Sequence, residues 1–212
     1  MSSYINANFT KHIKKDINVI IECGSRDCED AIKMLDYYNP NKIWSFECNP
    51  DSVKVCLENI KNYPKIELIS KAVSNKSGTI DFYATDMEKS IDKNIGASSA
   101  LYHRDNKNSF FQKKIEVESI TLDSFVDEKK IDKVDLLCLD LQGYEKSAID
   151  GFLSNIKNVD YIISEFSQYS YYNGDILFDE YKSYLNEIGF ELVEILSYGN
   201  FGDALFKNKN IN

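Results

Sequence analysis

Residues 18–27 read NVIIECGSRD, and the expected architecture of the chain follows from them. An apolar run, VII, is followed by an acid, a cysteine and a glycine before the chain turns polar. A buried parallel strand that ends in a tight turn and leads into a helix has this pattern. The segment therefore predicts a strand over residues 18–23 and a helix over residues 27–38.

A second apolar run, over residues 42–48, lies about one βαβ unit downstream and ends in an acid, Glu47. Asn49 and Pro50 then suit the N-cap and the first turn of a helix, and residues 65–70 predict a third strand. This order predicts parallel strands joined by right-handed crossovers. A glycine turn after one strand and an acid at the tip of the next are typical of a nucleoside-binding site.

The middle of the chain interrupts this alternation. Residues 72–73, the turn NKSG and residues 79–83 predict a hairpin. The polar stretch over residues 85–108 is too long for a plain connection, which favours a functional lid or a binding loop. Residues 114–120 alternate apolar and charged side chains, as a half-exposed strand does, and residues 121–126 predict a short capped helix.

Two strands in the second half of the chain end in acids. The strand over residues 134–140 ends in Asp140, and the strand over residues 159–166 carries Glu165 at its end. The remaining predicted elements are helices over 145–152 and 178–188, a strand over 190–196 and a last short edge strand over 204–206.

The length of 212 residues suits one domain that buries a full α/β core. We therefore expect one domain over residues 1–212, with a polar lead-in over residues 1–17 that includes a helix over 5–15. Residues 75–120 are expected to form an insertion.

The charge of the chain disfavours a nucleic acid partner. The formal net charge is −9, from 25 basic and 34 acidic residues, whereas duplex nucleic acid is bound through a clustered basic face. No stretch approaches the roughly 18 apolar residues of a membrane span, and the N-terminus lacks a signal-peptide core. We expect a cytoplasmic protein without a membrane partner; the oligomeric state is not readable from the sequence.

The five cysteines include no CxxC pair, and only two histidines are present. This pattern favours reduced, buried thiols and disfavours a zinc site.

Six short segments occur in one order between Gly24 and Glu145: GSRDCED, FECNP, KAVSNKSG, GASSA, TLDSF and LDLQGYE. This series resembles the FkbM family of S-adenosylmethionine-dependent methyltransferases, and the likeness runs from about Asn18 to the C-terminus. The resemblance implies an α/β three-layer sandwich of class I type, with S-adenosyl-L-methionine as the cofactor. Its sheet would be mostly parallel and seven-stranded, with the last strand antiparallel and a hairpin or loop inserted between strands three and four.

The sequence departs from the family pattern at two positions. Similar proteins often carry a second glycine where this chain has Cys28, so we expect a less extreme backbone there and a narrower approach to the methionine part of the cofactor. The acid of the first motif is Glu22 rather than the commoner aspartate.

The resemblance also indicates which residues contact the cofactor. Gly24 would let the backbone pass close to it, although a glycine needed only for the turn is the alternative. Glu22 would bind the amino group, or act as a structural acid near a helix N-terminus. Glu47 would accept both ribose hydroxyls. The other predicted contacts are Ser25, Arg26 (to the methionine carboxylate, or to Asp27), Asp27, Cys48, Asn49, Ala72, Ser99, Asp140 and Gln142.

Three residues are candidates for catalysis. Asp140 and Glu165 end strands at the sheet edge where open α/β folds bind ligands, so either is a candidate general base. Together they are candidate oxygen ligands for a divalent metal, an interpretation that we do not favour. His103 is the only histidine placed to titrate near neutrality in such a site. Three tyrosines, Tyr169, Tyr171 and Tyr172, either line an acceptor pocket or pack on the core.

The predicted function is methyl transfer from S-adenosylmethionine, with a hydroxyl of a small molecule or a glycan as the acceptor. The preference for oxygen comes from the resemblance. A nicotinamide-dependent oxidoreductase is the first alternative, but the turn GSRDC lacks a GxGxxG fingerprint. A non-catalytic nucleoside-binding module is the second.

Overall fold

The computed structural model describes residues 3–14, 16–86, 88–90, 98–104 and 111–211. The first half of the chain contains α1 (Ala7–Thr10), β1 (Val19–Cys23), α2 (Glu29–Tyr38), β2 (Lys42–Phe46), α3 (Pro50–Ile60) and β3 (Ile66–Ile69). The second half contains β4 (Ala72–Val73), β5 (Gly78–Thr85), β6 (Gln112–Ile120), α4 (Leu122–Lys129), β7 (Val134–Leu139), α5 (Glu145–Asp150), β8 (Val159–Ser167), α6 (Phe178–Glu187), β9 (Phe190–Tyr198) and β10 (Phe201–Asn208).

Seven strands form the main sheet in the order β3-β2-β1-β7-β8-β10-β9. The pairs from β3 to β8 are parallel, whereas β10 runs antiparallel to both β8 and β9. The predicted fold class is therefore confirmed. The position of the last strand was wrong, because β10 lies inside the sheet and β9 forms the edge. Ala204, Leu205 and Phe206 are fully buried, and a short apolar run does not show by itself how many neighbours its strand has.

The sheet separates two apolar cores. Successive side chains of a strand point to opposite faces, and in β1 Ile20 packs with one core while Ile21 packs with the other. Helices α1, α2 and α3 cover the Ile20 side, and α4, α5 and α6 cover the Ile21 side. Every residue of β7 is buried, which explains why all of them except Asp135 are apolar.

A second sheet of three strands, in the order β4-β6-β5, contains the inserted segment. β5 is antiparallel to β6, and β4 is parallel to β6. The predicted hairpin over residues 72–83 is therefore wrong: both of its strands pair with β6 instead of with each other. The turn NKSG indicated a local reversal, but β4 pairs with residues 119–120 and β5 with residues 112–119, and a local pattern does not reveal such distant partners.

The lead-in contains less helix than the sequence predicted, and part of it is buried. Instead of a helix over residues 5–15, it forms a 3₁₀ turn over Ser3–Ile5 and the single turn of α1. Phe9 is fully buried against the Ile20 side of the sheet. Lys14 forms ion pairs with Asp135 and Asp160, two buried acids of β7 and β8.

The structure also describes the state of the cysteines and the character of the helices. All five cysteines are free, and all but Cys48 are fully buried. Across the described ranges, no helix combines the length and the apolar composition that a membrane crossing requires.

Candidate active site

A cavity of about 280 Å³ lies at the carboxyl ends of the parallel strands. Parallel α/β sheets bind ligands at this edge, where the loops of neighbouring strands diverge. Most of the predicted cofactor-binding residues line it: Glu22, Gly24, Ser25, Arg26, Glu47, Cys48, Asn49, Ala72, Asp140 and Gln142. Glu165 lines it as well, whereas Asp27, Ser99 and His103 do not.

The carboxylate of Glu47 joins the two turns that form one wall of the cavity. Its Oε1 accepts the backbone N–H groups of Cys48 and Asn49, each at 2.7 Å, and its Oε2 accepts the N–H of Arg26 at 2.9 Å. Burial raises the pKa of Glu47, and these three donors oppose the shift. A carboxylate has about four acceptor positions, so roughly one remains for a ligand, on the Oε2 side.

Glu22 lines the cavity, but its carboxylate is almost fully buried. Its Oε2 accepts the hydroxyl of Ser25. Its Oε1 is closed off from solvent and, within the described part of the chain, accepts no hydrogen bond of ordinary geometry. The hydroxyl of Ser45, the residue opposite on β2, is likewise buried without such a bond and interacts with the carboxylate. Burial raises the pKa of Glu22 to about 7, against the opposing effects of the Ser25 and Ser45 hydroxyls.

Gly24 is required by the backbone as well as by the cavity. It has φ +91°, and a Cβ atom added to it would lie 1.9 Å from the carbonyl oxygen of Asp140. Its N–H and that of Ser25 both donate to the carbonyl of Phe46 at 3.0 Å. The glycine therefore permits β1, β2 and β7 to meet at this turn, in addition to lining the cavity.

The rest of the turn is bound internally. The guanidinium of Arg26 pairs with Asp27, with Nε and Nη2 at 2.9 and 2.8 Å from Oδ2. Asp27 in turn accepts the N–H of Glu29 at the start of α2. The pairing with Asp27 is one of the alternatives predicted for Arg26.

The milder backbone expected at Cys28 is wrong. Cys28 has φ +59°, in the left-handed region that glycine favours, and its side chain is fully buried in the core on the α2 side. It does not line the cavity, so the narrowing expected from it is absent.

Asp140, Gln142 and Glu165 form a connected group at the opposite wall. The Nε2 of Gln142 donates to Oδ1 of Asp140 and to Oε2 of Glu165, both at 2.8 Å. Burial raises the pKa of both carboxyl groups, and the charge of Asp140 raises that of Glu165 further, well above its usual range. Two acids this close do not both ionise easily, so the pair is suited to hold one proton.

The tyrosine segment has divided roles. Tyr172 is buried and donates its hydroxyl to Oε1 of Gln142 at 3.0 Å, which fixes the orientation of that amide. The ring of Tyr171 stacks on Phe201 at 4.5 Å, and both line a small adjacent cavity that shares Gln142 and Glu165 with the main one. Tyr169 is exposed and lines neither cavity.

His103 lies beside this segment rather than in the main cavity. Its ring contacts Tyr172 edge to face at 5.0 Å, and its backbone forms a bridge with the same residue.

The inserted segment reaches the cavity through Phe82, Ser98 and Ala100. Ser98 lines it, and its hydroxyl accepts the amide of Asn49 at 3.2 Å. The hydroxyl of Ser99 is directed instead to the carbonyl oxygens of Leu141 and Gln142. Ser99 therefore holds the insertion against the loop after β7 without facing the cavity itself. The predicted loop residues 91–97 and 105–108 lie outside the described residues.

Sequence reasoning missed several residues of the site. Glu145 is buried and accepts the N–H groups of Leu141 and Gly143, so it shapes the loop after β7. Its position in the LDLQGYE segment was the available signal. Residues that line the cavity without having been predicted are Tyr4, Asp30, Phe46, Ser52, Lys71, Val73, Phe82, Ala100, Leu141 and Tyr144.

The lining of the cavity is strongly acidic. Five carboxyl groups contribute to it, from Glu22, Asp30, Glu47, Asp140 and Glu165, against two basic residues, Arg26 and Lys71. Such a cavity favours a cationic ligand over an anionic one. Across the described ranges, there is no group of three or more His, Cys, Asp or Glu side chains placed to hold a metal ion.

The model of the FkbM methyltransferase domain matches residues 22–192, which include the glycine turn, Glu47 and the loop after β7. The chain belongs to the FkbM methyltransferase family. The predicted family and the predicted class of enzyme are thereby confirmed. The chain is also 27% identical to the 2-O-methyltransferase NoeI of Sinorhizobium fredii over 204 residues, which cover 94% of this chain and 83% of that protein.

Solved methyltransferase structures share the fold. The FkbM methyltransferase of Methylobacillus flagellatus matches with a TM-score of 0.59 and 12% identity, over 91% of this chain and 44% of that chain. TrmK of M. capricolum, solved with S-adenosyl-homocysteine, matches with a TM-score of 0.55 and 12% identity, over 99% of this chain and 69% of that one. The chain thus spans less than half of the M. flagellatus protein, and at these identities the likeness shows the fold alone.

We expect Gly24→Ala to destabilise the protein more than Gly174→Ala does. Both glycines have φ near +90°, but an added Cβ meets the Asp140 carbonyl at Gly24 and nothing within 4 Å at Gly174. The shared backbone strain should cost about 1–2 kcal/mol in each variant, and the clash should add about 1–3 kcal/mol at Gly24 only. Urea unfolding measures both values; equal losses would contradict the close approach at Gly24.

Proposed function

We propose that the chain binds S-adenosyl-L-methionine in this cavity and transfers its methyl group to a hydroxyl oxygen of a small molecule or a glycan. The observation that carries the proposal is the acidic lining of the cavity, to which five carboxyl groups contribute. The cofactor has a cationic sulfonium and an ammonium group, which suit such a lining.

The same lining disfavours the oxidoreductase alternative. A nicotinamide dinucleotide carries a diphosphate, which Rossmann enzymes bind with free backbone N–H groups at a glycine-rich turn. Here the N–H groups of Gly24, Ser25 and Arg26 already donate to Phe46 and Glu47. With five acids around the cavity, a diphosphate would meet repulsion rather than donors.

In this proposal, Glu22 and Glu47 bind different parts of the cofactor. We assign the ammonium group to the carboxylate of Glu22, which lines the cavity at the end of β1. Glu47, at the end of β2, is placed to accept a ribose hydroxyl through Oε2, the oxygen with only one protein donor. Since roughly one acceptor position remains on Glu47, one strong ribose bond fits better than the two expected from the sequence. Asn49 and Ala72 then lie on the adenine side.

The acid pair supplies the proton chemistry. Bound S-adenosylmethionine supplies an electrophilic methyl group, and the acceptor hydroxyl must lose a proton as its oxygen attacks in line. We assign the role of general base to Glu165 in its ionised form, because Glu165 lines both the main cavity and the smaller cavity beside Tyr171. Burial and the charge of Asp140 raise the pKa of Glu165, so its carboxylate, once ionised, is a stronger base than an exposed one. Gln142 orients both carboxyl groups, and Tyr172 orients Gln142.

The acceptor class rests on three observations. The relative from Sinorhizobium fredii is named as a 2-O-methyltransferase. The stacked pair of Tyr171 and Phe201 lies next to Glu165, where an aromatic face suits a sugar ring or an aromatic group. The acidic cavity and the net charge of −9 disfavour a polyanionic nucleic acid acceptor. That residues 1–212 form one domain, and that the protein is cytoplasmic, remain predictions from the sequence.

We expect S-adenosylmethionine and S-adenosylhomocysteine to raise the melting temperature and NAD to leave it unchanged. Ligand at about 100 times Kd stabilises the native state by roughly 2.7 kcal/mol. Glu47→Ala should lose most of the shift, because it removes the ribose acceptor and frees the turn N–H groups. Lys54→Ala, on the exposed face of α3, is the control and should keep it. A shift with NAD alone would refute the methyltransferase proposal, and an unchanged Glu47→Ala shift would refute the ribose assignment.

We expect the affinity for S-adenosylhomocysteine to depend on pH through Glu22. The ammonium binds the ionised carboxylate, and the pKa of Glu22 in the free protein is about 7. Affinity should therefore level off above pH 7 and fall by up to about tenfold per pH unit below it. Glu22→Gln should bind more weakly at pH 8 and show a flatter profile from pH 5 to about 7. Calorimetric titration across this range checks it; parallel profiles for the two proteins would exclude Glu22 as the ammonium partner.

We expect Glu165→Gln to lower turnover by about 10²–10⁴-fold while S-adenosylhomocysteine affinity changes little. The amide keeps the size of the side chain but cannot take up the proton of the acceptor. The measurement is production of S-adenosylhomocysteine with a panel of monosaccharides and phenols. Asp140→Asn is the comparison, and a larger loss of turnover in that variant at equal cofactor affinity would assign the base to Asp140 instead.

A further inference from the structure

Tyr4 contributes to the cavity from outside the part of the chain that matches the family. The family model begins at Glu22, whereas Tyr4 belongs to the 3₁₀ turn of the lead-in. Its side chain is 5% exposed and lines the cavity together with Glu22, Ser25 and Asp140.

The lead-in is held in place by contacts on both sides of Tyr4's turn. The hydroxyl of Tyr38, at the end of α2, donates to the backbone carbonyl of Tyr4 at 3.2 Å. Phe9 is fully buried in the core on the same side, and Lys14 pairs with Asp135 at 3.1 Å. The position of Tyr4 is therefore fixed by packing, although it lies close to the N-terminus.

The phenol of Tyr4 is an available donor. Its hydroxyl has no hydrogen-bond partner among residues 3–14, 16–86, 88–90, 98–104 and 111–211, although the side chain is almost fully buried. Burial and the nearby carboxylates of Asp140 and Glu22 raise its pKa well above the ordinary value, so it stays protonated at neutral pH. A phenol in this state donates a hydrogen bond to an anionic oxygen.

Few other donors remain near Glu22. The N–H groups of Gly24 and Ser25 donate to Phe46, and the N–H of Arg26 donates to Glu47. The guanidinium of Arg26 directs its Nε and one Nη2 donor to Asp27, and its remaining N–H groups are the other side-chain donors of this residue at the cavity. In an amino acid, the carboxylate and the ammonium are attached to one carbon atom, so a ligand ammonium on Glu22 brings its carboxylate to the same corner of the cavity.

We propose that Tyr4 binds the α-carboxylate of S-adenosylmethionine through its hydroxyl, as a cofactor-binding residue supplied by the lead-in. This inference rests on the proposed function, since it needs the ammonium group on Glu22. It assigns to residues 3–14 a part in the site in addition to their part in the core.

The test compares two ligands that differ in the amino-acid part. S-adenosylhomocysteine has the carboxylate, and 5′-methylthioadenosine lacks it while keeping the adenosine and the sulfur. Tyr4→Phe removes only the hydroxyl, and Tyr37→Phe, the matched control, removes the hydroxyl of an exposed tyrosine that does not line the cavity. Calorimetry measures Kd for each protein with each ligand.

We expect Tyr4→Phe to weaken S-adenosylhomocysteine binding about tenfold or more, as for the loss of a hydrogen bond to a charged group. Its Kd for 5′-methylthioadenosine should stay within about twofold of wild type, and Tyr37→Phe should leave the Kd of both ligands within about twofold of wild type.

Two results would overturn the inference. One is an unchanged affinity of Tyr4→Phe for S-adenosylhomocysteine, and the other is an equal loss for both ligands, which would indicate a general effect on the cavity. Wild-type protein that binds neither ligand would instead refute the proposed function, so the two failures are distinguishable. Urea unfolding of Tyr4→Phe alongside wild type shows whether a change in folding contributes.

Discussion

The joining of two strand-end turns by one buried carboxylate underlies the whole site. Glu47 accepts N–H groups from the turn after β1 and from the turn after β2, and the carbonyl of Phe46 accepts two more from the first turn. A buried backbone group without a partner is costly, so these bonds hold the two turns together. Gly24 completes the joint, because only a residue without a side chain fits against the Asp140 carbonyl.

The buried acids that line the cavity make folding less favourable when no cationic ligand is bound. Burial raises the pKa values of Glu22, Glu47, Asp140 and Glu165, which means that folding disfavours their charged forms. A cationic ligand offsets part of this cost, because opposite charge favours ionised carboxylates. Functional sites commonly contain such destabilising groups, because ligand binding depends on them.

Two peripheral segments complete a site that the parallel sheet begins. The insertion brings Ser98 to Asn49 and fastens itself to the loop after β7 through Ser99. The lead-in brings Tyr4 to the opposite side, next to Glu22. Both segments depend on tertiary contacts, because neither forms an extended element of the main sheet. The parallel strands therefore position the acids at their carboxyl ends, and the two peripheral segments add Ser98 and Tyr4 to the lining of the cavity.

The sequence by itself determined the alternation of strands and helices, the class of sheet, and the wall formed by Glu22, Gly24 and Glu47. These features follow from local periodicity and from residues at strand ends, and parallel strands necessarily bring their carboxyl ends to one edge. Only the tertiary structure decided the pairing of β4 with β6, the place of β10 inside the sheet, and the position of Tyr4. Each of these depends on contacts between segments distant in sequence, which short-range patterns do not encode. The partner of Arg26 was open for the same reason: a side chain of that length reaches several acids, and packing selects one of them.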